Sequence, residues 1–172
     1  VKVNSGLLDF YSSYPVSSAW NHYANASLSK EVKASLYPVL RSQLQGKSQK
    51  KAAAMLLDFV QTAFQYKTDQ DQFGYERPLF GDESFHYPYN DCEDRSILYS
   101  ILVRELLGLE VVLLNYPGHL ATAVCFTDEE VAGDYLTVNG KRYVVCDPTY
   151  IHAGVGESMP QLKNEKIKVV ML

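Results

Sequence analysis

Apolar positions recur at helical spacing in the first two thirds of the chain and at strand spacing in the last third. Leu28, Val32, Leu36, Val39, Leu40 and Leu44 form one stripe that stops at Gly46, predicting a helix in which Pro38 is the place for a kink. Ser48 is a cap residue before a stronger pattern. Met55, Leu56, Phe59, Val60, Ala63 and Phe64 share a broad face there, as expected of a centrally packed helix. A third helix opens near Cys92 and carries Ile97, Leu98, Ile101, Leu102 and Leu106 as its buried stripe to a stop at Gly108.

The remaining segments are less periodic. Residues 1–27 mix aromatics with Ser and Asn and predict an irregular lead-in with one short helix around "VSSAWNHYA". Residues 68–91 read as a loop, long by ordinary standards and rich in Asp, Gly, Pro and aromatics, the kind of connection that often carries function. From 110 the pattern turns to strands, at 110–116, 119–126, 135–140 and 141–147, with "KIKVVML" as a terminal addition. Asn139-Gly140 marks a hairpin, and the acidic stretch 127–134 an excursion from the sheet edge. Helices followed by strands argue one α+β domain over 1–172, with helices packed on an antiparallel sheet.

Composition narrows the function classes. At 172 residues the chain can bury a sizeable core without disulfide staples, and 47% apolar residues with 21% charged describe an ordinary globular protein. A net charge of -4 offers no general footprint for nucleic acid. No apolar run approaches the ~20 residues of a transmembrane helix, and "VKVNSGLLDF" has no signal-peptide pattern. Val1 in place of a methionine slightly favours an exported or periplasmic mature fragment over a cytoplasmic protein. The sequon at Asn25 is short enough to arise by chance. Three cysteines, Cys92, Cys125 and Cys146, have no zinc spacing.

"NDCEDRS" at 90–96 sets a thiol among Asp91, Glu93 and Asp94, a setting that discourages a thiolate if the acids touch the sulfur. At the start of a helix the amides favour the thiolate instead, Asp91 serves at the cap, and ~100° per residue turns Glu93 and Asp94 progressively away. Arg95 and Arg104 read as solvated surface charges. A nucleophilic cysteine needs a base and an orienter. His119, after "YPG" at the start of a strand, and Asp147, closing "RYVVCD", stand at comparable strand ends. With their strands antiparallel and the two residues opposite, both side chains would face the Cys92 helix. Cys125 would share the His119 face and Cys146 the other, so the two should form no disulfide and pack as small hydrophobes.

"YNDCEDRSILYSILVRELLGLEVVLL", "GHLATAV" and "YVVCDPTY" together resemble the three core blocks of the transglutaminase-like superfamily, particularly bacterial cysteine-peptidase members with a Gly-Asp-Cys-Glu-Asp pattern. The resemblance spans about residues 50–150 and leaves residues 1–47 as a helical N-terminal extension. It implies a papain/transglutaminase-like core with the nucleophile Cys92 at a helix N-terminus, the base His119 and the orienter Asp147. Two departures stand out: Asn90 replaces the family's glycine, where it can visit a left-handed conformation or cap locally, and Leu120 and Ala121 stand where relatives place an aromatic residue. The Cys92 amide would supply one oxyanion donor, with Gln72, Tyr89 or another aromatic residue of the 68–91 loop as second.

The expected function is a thiol-dependent peptidase or amidase using a Cys92-His119-Asp147 triad, with no cofactor and no metal. Its partner would be a peptide or protein, cell-wall or glycan-linked among the options, and not nucleic acid. Protein-glutamine acyl transfer is the first alternative, since an amine in place of water turns hydrolysis into transfer. A non-catalytic module binding peptide or glycan is the second. A metal site using Cys92, Glu93, Asp94, His119 or Asp147 is disfavoured because the mixture lacks a repeated ligand spacing, and no EF-hand-like loop is present.

Overall fold

The computed structural model covers residues 1–172 and is α+β. Six helices precede the strands: α1 (Ser5–Ser12), α2 (Trp20–Ala24), α3 (Lys30–Leu44), α4 (Gln49–Ala63), α5 (Asp69–Phe73) and α6 (Cys92–Leu107). The strands are β1 (Glu110–Tyr116), β2 (His119–Cys125), β3 (Tyr135–Val138), β4 (Lys141–Cys146) and β5 (Lys168–Met171). They form one antiparallel sheet in the order β3-β4-β2-β1-β5. No helix is long and apolar enough to cross a membrane.

The local causes follow the chain. Ser29 and Ser48 cap α3 and α4, accepting the N–H of Val32 and Lys51 at 3.3 Å each. Pro38 lies inside α3. At the tip of β3–β4 both Asn139 (φ 50°) and Gly140 (φ 77°) adopt positive φ, the conformation an Asn-Gly hairpin turn requires. Between β1 and β2, Pro117-Gly118 turns the chain in the manner of a type II turn, with Gly118 at φ 71°. That turn sets His119 at the first position of β2, paired with Tyr116.

Packing departs from several expectations. The buried face of α4 comprises Ala52, Ala53, Leu56, Leu57, Val60 and Gln61, so Met55 and Phe59 sit at its margin and Ala63 is exposed. Helix α6 carries no single stripe: from Glu93 to Val103 every residue is buried, because α4, α2 and the sheet enclose it. The predicted 68–91 loop contains α5, capped by Thr68 and ended by Gly74, and a 3-10 turn at Glu83–Phe85. Residues 77–84 of this connection are buried and bond internally, as in Arg77–Glu83 at 2.6 Å and the Phe80 N–H to Glu83 at 3.0 Å. Residues 1–27 are also more regular than expected, with α1 added before α2. They pack through Tyr11, Tyr14, His22 and Tyr23 around the ring of Phe80.

One polar residue on the buried face of α4 holds the chain beyond β4. The Gln61 side-chain nitrogen lies 2.9 to 3.0 Å from the carbonyl oxygens of Asp147, Tyr150 and Ala153, and its oxygen accepts the His152 N–H at 3.2 Å. Replacement by leucine keeps the bulk and strands these buried groups, each worth ~1–3 kcal/mol when unsatisfied. Gln61→Leu should lose at least ~2 kcal/mol of stability in urea unfolding, against under ~0.5 kcal/mol for the exposed neighbour Thr62→Ala.

Candidate functional site

The start of α6 is held from two directions. Asp94 accepts the Leu79 N–H at 2.8 Å and the Asp91 N–H at 3.2 Å, so one buried carboxylate ties the 68–91 connection to the helix start. Asn90 keeps a negative φ instead of the left-handed conformation, and its side chain donates to the Ser84 carbonyl at 3.3 Å. One turn into the helix, Ser96 donates to the Leu120 carbonyl at 2.9 Å. That bond fixes the distance from the Cys92 turn to the first residues of β2.

His119 Nε2 lies 2.8 Å from Asp147 Oδ2. The other Asp147 oxygen accepts the N–H groups of Thr149 and Tyr150 at 2.9 and 3.3 Å, so the carboxylate is oriented on both sides. The register pairs Thr122 with Cys146, which makes His119 and Asp147 diagonal neighbours, not opposite ones. Nor does their face point at α6. Alternation places them with Ala121, Ala123 and Val145, whereas Leu120, Val124 and Cys146 pack against the helix. His119 nevertheless shares a cleft with Cys92, because it opens β2 at the end of the sheet near the start of α6, next to Leu120, whose carbonyl Ser96 holds. Cys125 and Cys146 are on opposite faces as expected, half-buried and buried, and all three cysteines are free.

Cys92 and His119 line one cleft of about 290 Å³, together with Trp20, Tyr66, Asn115 and Tyr116. The thiol, however, donates to Glu93 Oε2 at 3.1 Å. Glu93 thus folds back over the sulfur, against the expectation that it turns away. Burial pushes the Cys92 thiol well above its usual range, and the Glu93 carboxylate adds to this, while the Leu120 backbone amide works in the opposite sense. Arg95 is no surface charge either: it is buried, donating to the Phe64 carbonyl at 2.8 Å and the Gln61 carbonyl at 3.4 Å. Arg104 likewise is half-buried, donating to Asn25 Oδ1 at 2.8 Å and to the Ala24 carbonyl.

Behind the cleft lies a nest of carboxylates. Oxygens of Asp69, Asp91 and Asp94 lie within 4.8 Å of one another, as do those of Asp69, Glu76 and Glu93. An all-oxygen set of this kind suits a hard divalent cation and not zinc. Burial is the first cause raising Asp69 to about 7 and Asp91 to about 8, with neighbouring acids adding to it. Asp94 is raised for the same reasons.

Gln72 and Tyr89 are not among the cleft's lining residues, whereas Asn115 is. The helix-facing parity of β1 was the available signal for Asn115. A glutamine within the apolar face of α4 was the signal for Gln61. Nothing in the sequence placed Trp20, Tyr66 or Glu76 beside Cys92.

The raised acids carry a pH consequence. A folded state that holds these protons at pH values where the unfolded chain has released them gains stability fully present below about pH 4 and lost as pH rises through about 7 to 8. Urea unfolding should therefore show stability falling between pH 4 and 8, by up to ~1.4 kcal/mol per pH unit for each proton retained. Asp69→Asn should flatten that slope. No protein-family model and no curated protein matches the chain.

Proposed function

We propose that the protein is a thiol-dependent peptidase or amidase with a papain/transglutaminase-like core, in which Cys92 is the nucleophile, His119 the base and Asp147 its orienter. The observation that carries this reading is the 2.8 Å His119–Asp147 pair, whose histidine lines the same cleft as Cys92. Because Nε2 is engaged by Asp147, Nδ1 is the ring nitrogen left to take the thiol proton. The resting bond from the thiol to Glu93 is exchanged for one to Nδ1 as substrate enters. The sulfur then attacks the amide carbonyl carbon while its proton passes to His119. The backbone N–H of Cys92 and the side-chain amide of Asn115 are the candidate donors to the oxyanion. Collapse breaks the C–N bond, the amine leaves with the His119 proton, and a thioester remains. Water, deprotonated by His119, hydrolyses it and restores the thiol.

The Cys92–Glu93 bond favours a second reading, a peptide-binding cleft without turnover, because a half-buried thiol held by a carboxylate is a poor nucleophile. Product analysis by mass on a panel of peptides and amines separates the two. Wild type should release carboxylate and amine products whose yield falls at least ~10³-fold in Cys92→Ala. Amine-linked products would identify acyl transfer, and no product from any member would leave the binding reading. The Glu93 contact has its own test in alkylation of Cys92 by iodoacetamide. Glu93→Gln removes the charge and keeps an acceptor, so the rate–pH profile should move to lower pH, with at least a ~3-fold faster rate at pH 7.

A further inference from the structure

The cleft has a charge and a surface that the catalytic assignment leaves unused. Its walls carry the aromatic rings of Trp20, Tyr66 and Tyr116 and the carboxylates of Glu76, Asp91 and Glu93, and no lysine or arginine lines it. Glu76 is exposed and pairs with no basic side chain, and neither does Glu93. Of the two buried cations, Arg77 is neutralised by Glu83 at 2.6 Å, and Arg95 has its guanidinium 5.5 Å from the Tyr66 ring and is occupied by the Phe64 and Gln61 carbonyls. Asp69 and Asp94 lie immediately behind the wall, so Arg95 offsets only part of the local negative charge even where Asp69 and Asp91 hold protons. A volume of about 290 Å³ admits one long side chain and its flanking backbone, not a folded partner. Carboxylates among aromatic faces are the setting in which an ammonium or guanidinium group is bound.

We propose that this cleft selects a peptide carrying a basic side chain, lysine or arginine, next to the reacting amide, with Glu76 as its charge partner and Trp20 and Tyr66 as its aromatic walls. The inference rests on the cleft being the substrate site of the proposed hydrolase. It also accounts for the placement of α2, whose first residue, Trp20, lines the cleft while its last, Ala24, and the following Asn25 are held on α6 by Arg104.

Trp20 is the chain's single tryptophan, so its emission reports occupancy of the cleft without requiring turnover. The full chain is titrated with otherwise identical short peptides bearing lysine, arginine, acetyl-lysine, norleucine or glutamate at one position. Lysine and arginine peptides should bind at least about tenfold more tightly than the acetyl-lysine and norleucine peptides, with glutamate weakest. The preference should shrink with added salt and fall several-fold in the exposed variant Glu76→Gln. Tyr66→Leu should weaken the basic peptides more than norleucine. Equal affinities across the series, or variants that weaken every peptide alike, would overturn the proposal. The same peptides assayed for cleavage separate the two claims: charge-selective binding without any product sinks the hydrolase reading and keeps the selectivity, whereas cleavage without charge preference does the reverse.

Discussion

Burial of the first three turns of α6 is the constraint on which the site depends. Water is excluded from Glu93 to Val103, so each polar side chain in that run must find its partner within the protein or leave a costly orphan. Asp94 takes the amides of Leu79 and Asp91, Ser96 takes the carbonyl of Leu120, and Arg95 reaches the carbonyls that end α4. These bonds join the connection before α6, strand β2 and helix α4 to the turn that carries Cys92. The desolvation penalty of a few side chains thereby becomes the positioning of a cleft.

The same burial opposes easy ionisation of the thiol. Helix amides and the Leu120 N–H favour a thiolate, but a dry setting and the Glu93 carboxylate outweigh them. In the proposed mechanism a cysteine so placed stays protonated until His119, held by Asp147, takes its proton during attack. Asp147 is secured in turn by the amides of Thr149 and Tyr150, while Gln61 holds the chain that supplies them.

The residues before α3 reach the cleft through Trp20. Phe80 is the anchor: Tyr11 stacks on it at 4.2 Å and Tyr23 packs at 4.7 Å, so the lead-in is drawn against the connection that precedes α6. Trp20 arrives at the cleft by this route. The aromatic wall that Leu120 and Ala121 do not provide is supplied from sequence-distant Trp20 and Tyr66.

Strand periodicity, the Asn139-Gly140 turn, the caps Ser29 and Ser48 and the stop at Gly108 each act over a few residues, so the order and type of the main elements were legible in the sequence. So were the places of Cys92 and His119 at the openings of α6 and β2 and of Asp147 just past the end of β4. Contacts between residues far apart in sequence, and the rotamer of a single side chain, were not. The expectation that Glu93 turns from the thiol came from helix geometry alone and failed because the carboxylate can bend back to Sγ. Arg95 looked solvated because its neighbours in sequence are polar, yet α4 covers it. Local backbone preference determines where helices and strands begin. Which polar groups must share a dry interior, and hence which acids, rings and amides surround the sulfur, is decided only when those elements pack.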